Sequence, residues 1–225
     1  MLPTIKAALV VSALFLAPLT HATLFDFNRG PGKSGGGYTY NDIQGSYDDQ
    51  SGVLTWATDN FVNPNGELND GFWLVLNNGG NNPRHDDGLA IFFADFSSDG
   101  LWAFEYNGKS DPSQYTDDEY FGSFSGALIN EGTKRGFSID VSNIYEQLPT
   151  KQPFDENIGI WFHAAWGTTT TLADNGRLNT WSYDAQRSFD RSGLTTTVVE
   201  VPEPGILLLF FIGFAGLLWA RKQQL

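Results

Sequence analysis

The chain has 225 residues, no cysteine, a single methionine, and half as many basic residues as acidic ones, 13 against 26. Without cysteine there is no disulfide, no thiol nucleophile and no cysteine-ligated zinc, so burial of side chains must carry the fold. The shortage of bases leaves a formal net charge of −13. A surface of that sign repels nucleic acid and anionic lipid, and it suits neutral sugars, cations or basic proteins. Also missing, from Thr23 to Glu200, is any dozen-residue stretch with a 3.6-residue apolar period, which excludes a long amphipathic helix there. What the chain does have is rings: 18 Phe, 8 Tyr and 7 Trp.

Several catalytic patterns fail on inspection. Gly32-Lys33-Ser34 ends like a phosphate-binding loop, but the glycine required five positions earlier is Phe27. No Glu-x-Asp occurs, so the paired carboxylates that many sandwich-fold glycosidases carry on one strand are absent; Glu105, Glu119, Glu131 and Glu156 stand singly. Gly122-Ser123-Phe124-Ser125-Gly126 has phenylalanine where a nucleophile elbow needs serine. Outside the first 22 residues the histidines are His85 and His163, and one on an apolar strand is more often structural than catalytic. No catalytic residue is assigned.

Short β-branched and aromatic segments alternate with Asn, Asp, Gly and Ser clusters, the pattern of an all-β domain. Strands are expected near Leu24 to Asn28, Ile43 to Tyr47, Val53 to Thr58, Phe72 to Leu76, Leu89 to Asp95, Leu101 to Tyr106, Tyr120 to Ser125, Gly136 to Val141, Ile158 to Ala165, Leu178 to Tyr183 and Thr195 to Val199. That number suits a single β-sandwich. Asp49 to Gly52 and Ser97 to Gly100 read as hairpin turns with a glycine available for positive φ. Ser142 to Leu148 reads as a helical turn capped by Ser142. Long loops are expected at Arg29 to Gly37, Asn77 to Gly88, Asn107 to Asp118 and Thr168 to Gly176. The architecture resembles the concanavalin-like jelly rolls, by class only, since no lectin signature is present.

Two candidate sites follow. Asp95, Ser97 and Asp99, with Gly100 sixth, begin like a calcium loop, but Tyr106 stands where the bidentate glutamate belongs, so a plain hairpin turn is the favoured alternative and Ca2+ the minor one. Asp86-Asp87 and Asp117-Asp118-Glu119 could supply further carboxylates from nearby loops. In Ile158 to Ala165 alternation puts Trp161 and His163 on one face and Ile160 and Phe162 on the other, so both faces are apolar. Trp73, Trp102 and Trp166 could join Trp161 and His163 as a platform for sugar rings. Filling of the sandwich core is the favoured alternative for these rings.

The two ends are of another kind. Residues 1–22 carry one cation, Lys6, an apolar stretch from Ala7 to Leu19 and the small-x-small site Thr20-His21-Ala22, as a secretory signal peptide cut after Ala22 would. At the other end Val201-Pro202-Glu203-Pro204 precedes an uncharged run from Gly205 to Ala220, then Arg221-Lys222. Sixteen helical residues span roughly 24 Å, just enough to cross a thin bilayer. The prolines keep the residues before Gly205 extended, and the two cations belong on the cytoplasmic side. Between the ends, residues 23–200 form one acidic domain. Lys6, Arg221, Lys222 and Glu203 lie outside it, so it carries 10 basic and 25 acidic residues, a net −15.

The tail, residues 201–225, resembles the PEP-CTERM sorting signal. That resemblance implies recognition and cleavage by an exosortase, a membrane protease, after transient residence in the inner membrane of a Gram-negative bacterium. It implies placement at the cell surface or in the extracellular matrix, often alongside exopolysaccharide. A non-enzymatic matrix or glycan-binding role is the first expectation; a polysaccharide-acting hydrolase or lyase and a purely structural surface protein are the alternatives.

Overall fold

The computed structural model describes residues 22–77, 90–108, 120–147, 158–190 and 194–201. Residues 1–21, the tail beyond Val201, His85, Asp86, Asp87, Glu156 and residues 117–119 lie outside them, while Ala22, the expected cleavage residue, opens the first strand. The chain runs β1 (Ala22–Arg29), β2 (Gly32–Ser34), β3 (Tyr38–Tyr40), β4 (Asp42–Asp48), β5 (Val53–Asp59), β6 (Gly71–Asn77), β7 (Ala90–Asp95), β8 (Gly100–Phe104) and β9 (Tyr120–Ser123). It continues through β10 (Leu128–Glu131), β11 (Lys134–Asp140), α1 (Ser142–Gln147), β12 (Gly159–Trp166), β13 (Thr169–Leu172), β14 (Leu178–Ser182), β15 (Ala185–Asp190) and β16 (Thr195–Val201).

Two six-stranded sheets result. The first has the order β10-β11-β5-β4-β1-β16 and the second β15-β12-β6-β7-β8-β9; β13-β14 and β2-β3 form two-stranded ribbons. Period-two alternation explains how the sheets meet. On the first sheet Phe25, Phe27, Ile43, Tyr47, Leu54, Trp56, Phe137 and Ile139 turn to one face, and on the second Phe72, Leu74, Leu76, Phe92, Ile160 and Phe162 do so, making one buried cluster between them. Rings cross the gap: Trp56 tilts over Phe162 at 5.2 Å, and Phe137 stacks on Phe92 at 5.1 Å. Each such side chain contributes about 1.5–3 kcal/mol by leaving water, which is how a chain without disulfides holds together.

The second sheet is buried on its other face too. Trp73, Val75, Ile91, Phe93, Trp102 and Phe104 pack there with Leu178 and Trp181 of the β13–β14 ribbon. Trp181 Nε1 donates to the Ala94 carbonyl oxygen at 3.1 Å and so pins the ribbon to the centre of the sheet. Burial on both faces is why Phe72 to Leu76 and Ala90 to Ala94 are unbroken apolar runs instead of alternating ones.

The eleven expected strands are all present within a few residues of their expected bounds. Two regions expected as loops hold structure: β2 and a short 3-10 turn at Gly35–Gly37 lie in the first, and β13 lies in the last. Both expected hairpin turns form, β4 to β5 and β7 to β8. In the first, positive φ falls on Gly52, at 68°, but in the second it falls on Asp99, at 52°. Gly100 answers a different need, because a Cβ there would run into the indole of Trp102. The helical turn forms, with its first residue at Ser142 and the Asp140 carboxylate accepting from the Ser142 amide at 2.9 Å.

Candidate functional site

The register of β6 with β12 pairs Trp73 directly with His163, and their rings stack at 3.8 Å. Trp161 meets both edge-on, at 4.5 Å from Trp73 and 4.7 Å from His163. His163 Nδ1 lies 2.8 Å from Gln186 Oε1 on β15. Trp102 belongs to the same layer, on β8. Trp166 does not: it faces the inter-sheet core, beside Tyr38 and Phe61, and its Nε1 donates to the Glu67 carbonyl oxygen at 2.8 Å. Four of the five expected platform residues are thus gathered on one face. Trp73, Trp102 and His163 are buried there and Trp161 is half-buried.

At the other candidate site, Asp95 is 2% exposed at the end of β7. Its Oδ1 accepts from the Ser97 amide, the Ser97 hydroxyl and the Ser98 amide, and its Oδ2 accepts from Thr170 Oγ1 on β13. Burial pushes its pKa up, but the hydrogen bonds from Ser97, Thr170 and Ser98 outweigh that and hold the carboxyl below its ordinary value. Asp95 and Ser97 therefore satisfy one another in closing the hairpin, and Asp99 is exposed at its tip. Among the described residues no three His, Asp or Glu side chains converge as metal ligands.

A neighbouring aspartate does similar work. Asp70 accepts from the Gly167 amide, the Thr168 amide and Thr168 Oγ1, and its own amide donates to the Ala165 carbonyl oxygen. Together Asp95 and Asp70 fasten the β12–β13 corner to the β6 and β7 strand ends.

Sequence reasoning did not point to the outer face of the first sheet. There the antiparallel register lines up Asp26, Ser46, Thr55 and Ser138 in one row, and Asn28, Gln44, Ala57, Gly136 and Ile129 in the next. The middle of the second row carries a methyl at Ala57 and nothing at Gly136. Gly136 lies so close to β5 that a Cβ would strike the Trp56 carbonyl oxygen. The result is an open hollow of about 300 Å³ bounded by Asp26, Asn28, Gln44, Ser46, Thr55, Ile129 and Lys134. The alternation of buried and less buried residues along β4 and β5 turns these positions outward, and the register makes them neighbours.

Near this face two aspartates, Asp42 and Asp59, sit directly opposite each other. Asp59 accepts from Thr133 Oγ1 at 2.6 Å and from Asn41 Nδ2 at 3.2 Å, and these bonds hold its carboxyl below the ordinary value. Of the four single glutamates, Glu131 ends β10 in an exposed position and Glu105 follows β8.

Residues 200–222 match the PEP-CTERM protein-sorting motif. The match takes in Val201, Pro202, Glu203, Pro204, Arg221 and Lys222, and it overlaps β16 at Glu200 and Val201. The motif implies recognition by an exosortase, a membrane protein, and export through a membrane-anchored precursor that is then processed. No curated protein and no solved structure matches the chain.

Proposed function

We propose that this is a non-enzymatic component of an extracellular polysaccharide matrix, released at the cell surface after the tail is cut, and that it binds glycan there. The sorting motif at residues 200–222 carries the reading, because it supplies the route out of the cell. The acidic sandwich fits the destination, since a domain of net −15 stays clear of nucleic acid and anionic lipid while its hydroxyl, amide and carboxylate side chains suit neutral sugars.

The test follows the full chain in an exosortase-bearing host. Wild type is expected as a shortened form that co-purifies with extracted exopolysaccharide. Glu203→Ala is expected to accumulate as a longer form in the membrane fraction. Release of an unchanged product from Glu203→Ala, or a shortened wild-type form that never associates with polysaccharide, would overturn the reading.

A further inference from the structure

The hollow on the outer face of the first sheet has the make-up of a binding site for a neutral, hydroxyl-rich ligand. Its volume of about 300 Å³ is at the lower end of the range for small-ligand sites, enough for one or two sugar residues of a polymer lying along the sheet. Its rim offers an acceptor at Asp26, paired donors and acceptors at Asn28 and Gln44, hydroxyls at Ser46 and Thr55, and a donor at Lys134. Thr55 shares a hydrogen bond with Ser138, and Gln44 donates to Asp42. By contrast, Asp26, Asn28, Ser46 and Lys134 spend their side-chain polar groups on no hydrogen bond among the described residues.

We propose that this hollow is the glycan-binding site and that its ligand is a neutral polysaccharide. The claim rests on the matrix reading above and names its surface and ligand class. Three physical features favour it. The rim residues are mostly short side chains, so little rotamer entropy is lost when they engage a ligand. They stand on β1, β4, β5 and β11, four strands paired in unbroken register, so their spacing is set before the ligand arrives. Asp26 in the rim, with Asp42 and Asp59 beyond it, repels uronate-rich or sulfated polymers, and one lysine does not offset three carboxylates. With no ring in the rim, the ligand is held by hydrogen bonds alone and each site binds weakly.

The experiment is native affinity electrophoresis of the processed full-length product through gels containing dextran, galactomannan or hydroxyethyl cellulose, with alginate as the anionic comparison. Wild type is expected to be retarded by at least one neutral polymer and not by alginate. Asp26→Ala with Asn28→Ala is expected to weaken that retardation roughly tenfold, as loss of two hydrogen-bonding groups implies. Ser46→Gln, which fills the hollow while keeping its polarity, is expected to do the same. Thr171→Ala on the β13–β14 ribbon is expected to migrate as wild type, and a thermal melt of each variant checks that it is folded.

If wild type is retarded but both hollow variants are retarded equally, the site assignment falls while glycan binding stands. Sensitivity to Trp161→Ala instead would move the site to the aromatic layer. Retardation by alginate alone would overturn the neutral ligand class. Passage of wild type through every gel unretarded would overturn both the site and the glycan reading.

Discussion

The indole of Trp73 lies flat on the imidazole of His163, the planes within 13° and the centroids 3.8 Å apart, across a register that pairs the two residues directly. Neither ring is available to an outside ligand from that position, since both are buried. Trp161 closes the group edge-on and is half-buried. Truncating Trp73 to Ala should therefore cost about 3–5 kcal/mol, the range for a large ring lost from a core. Trp161→Ala should cost roughly 1–2 kcal/mol, since its ring is only partly withdrawn from water. Urea unfolding of the two variants, with equal m-values, checks the order; a larger loss at Trp161 would contradict it.

Asp95 predicts an acid dependence. Its pKa is lowered in the folded state, so its contribution is fully present above the unfolded value, near 3.8, and is lost as pH falls through the lower folded value. Asp95→Asn should be less stable than wild type at neutral pH. The gap between them should narrow as pH drops below about 4, because wild type then protonates the same carboxyl. Thermal melts from pH 7 down to pH 2 check this. A constant gap across that range would refute it.

Asp70 is expected to matter for its acceptors alone. Asp70→Ala strands the Gly167 and Thr168 amides and the Thr168 hydroxyl, and should cost about 1–3 kcal/mol. The loss should appear as local loosening of the β12–β13 corner, seen as faster amide exchange at Gly167 and Thr168 than at Phe162 of the buried β12.

Two glycines that look alike in the sequence should behave in opposite ways. At Gly100 a methyl group would meet the Trp102 indole, so Gly100→Ala should destabilise by about 1–3 kcal/mol. At Gly30 nothing lies within 4 Å of an added Cβ, and Gly30→Ala should fall within about 0.5 kcal/mol of wild type. Equal losses at both would mean that backbone entropy, not contact with Trp102, explains Gly100.

The strands legible in the sequence were those whose burial leaves a periodic trace. β4 and β5 alternate because one face is wet, and β6 and β7 read as apolar runs because neither is. The strands that escaped lack that trace. Thr169 to Leu172 is exposed or half-exposed throughout, so three threonines and a leucine look like a loop although they pair with β14, with a register shift between Thr171 and Leu172. β15 is an edge strand, and of its described side chains only Ala185 and Phe189 pack against the core between the sheets. β2, β3 and β10 are too short to show any period.

The candidate sites divide in the same way. Trp161 and His163 could be placed together because they lie two positions apart on one strand. Trp166, three beyond His163, alternates to the other face, and grouping it with them joined residues that the pleat separates. The hollow was illegible for a different reason. Its defining residues, Ala57 and Gly136, matter for the side chains they lack, and Asp26 and Lys134 are brought to one rim only by the pairing of β1, β4, β5 and β11.

The layered placement of the indoles has an optical consequence. Of the 7 tryptophans, Trp56, Trp73, Trp102, Trp161, Trp166 and Trp181 all sit in the two apolar clusters, and Trp219 is in the tail. None borders the hollow on the first sheet. Intrinsic emission from the trimmed protein is therefore a gauge of its interior and is nearly blind to anything resting on that face. A ligand could saturate the hollow without shifting the spectrum, whereas peeling back the β13–β14 ribbon would redden it at once.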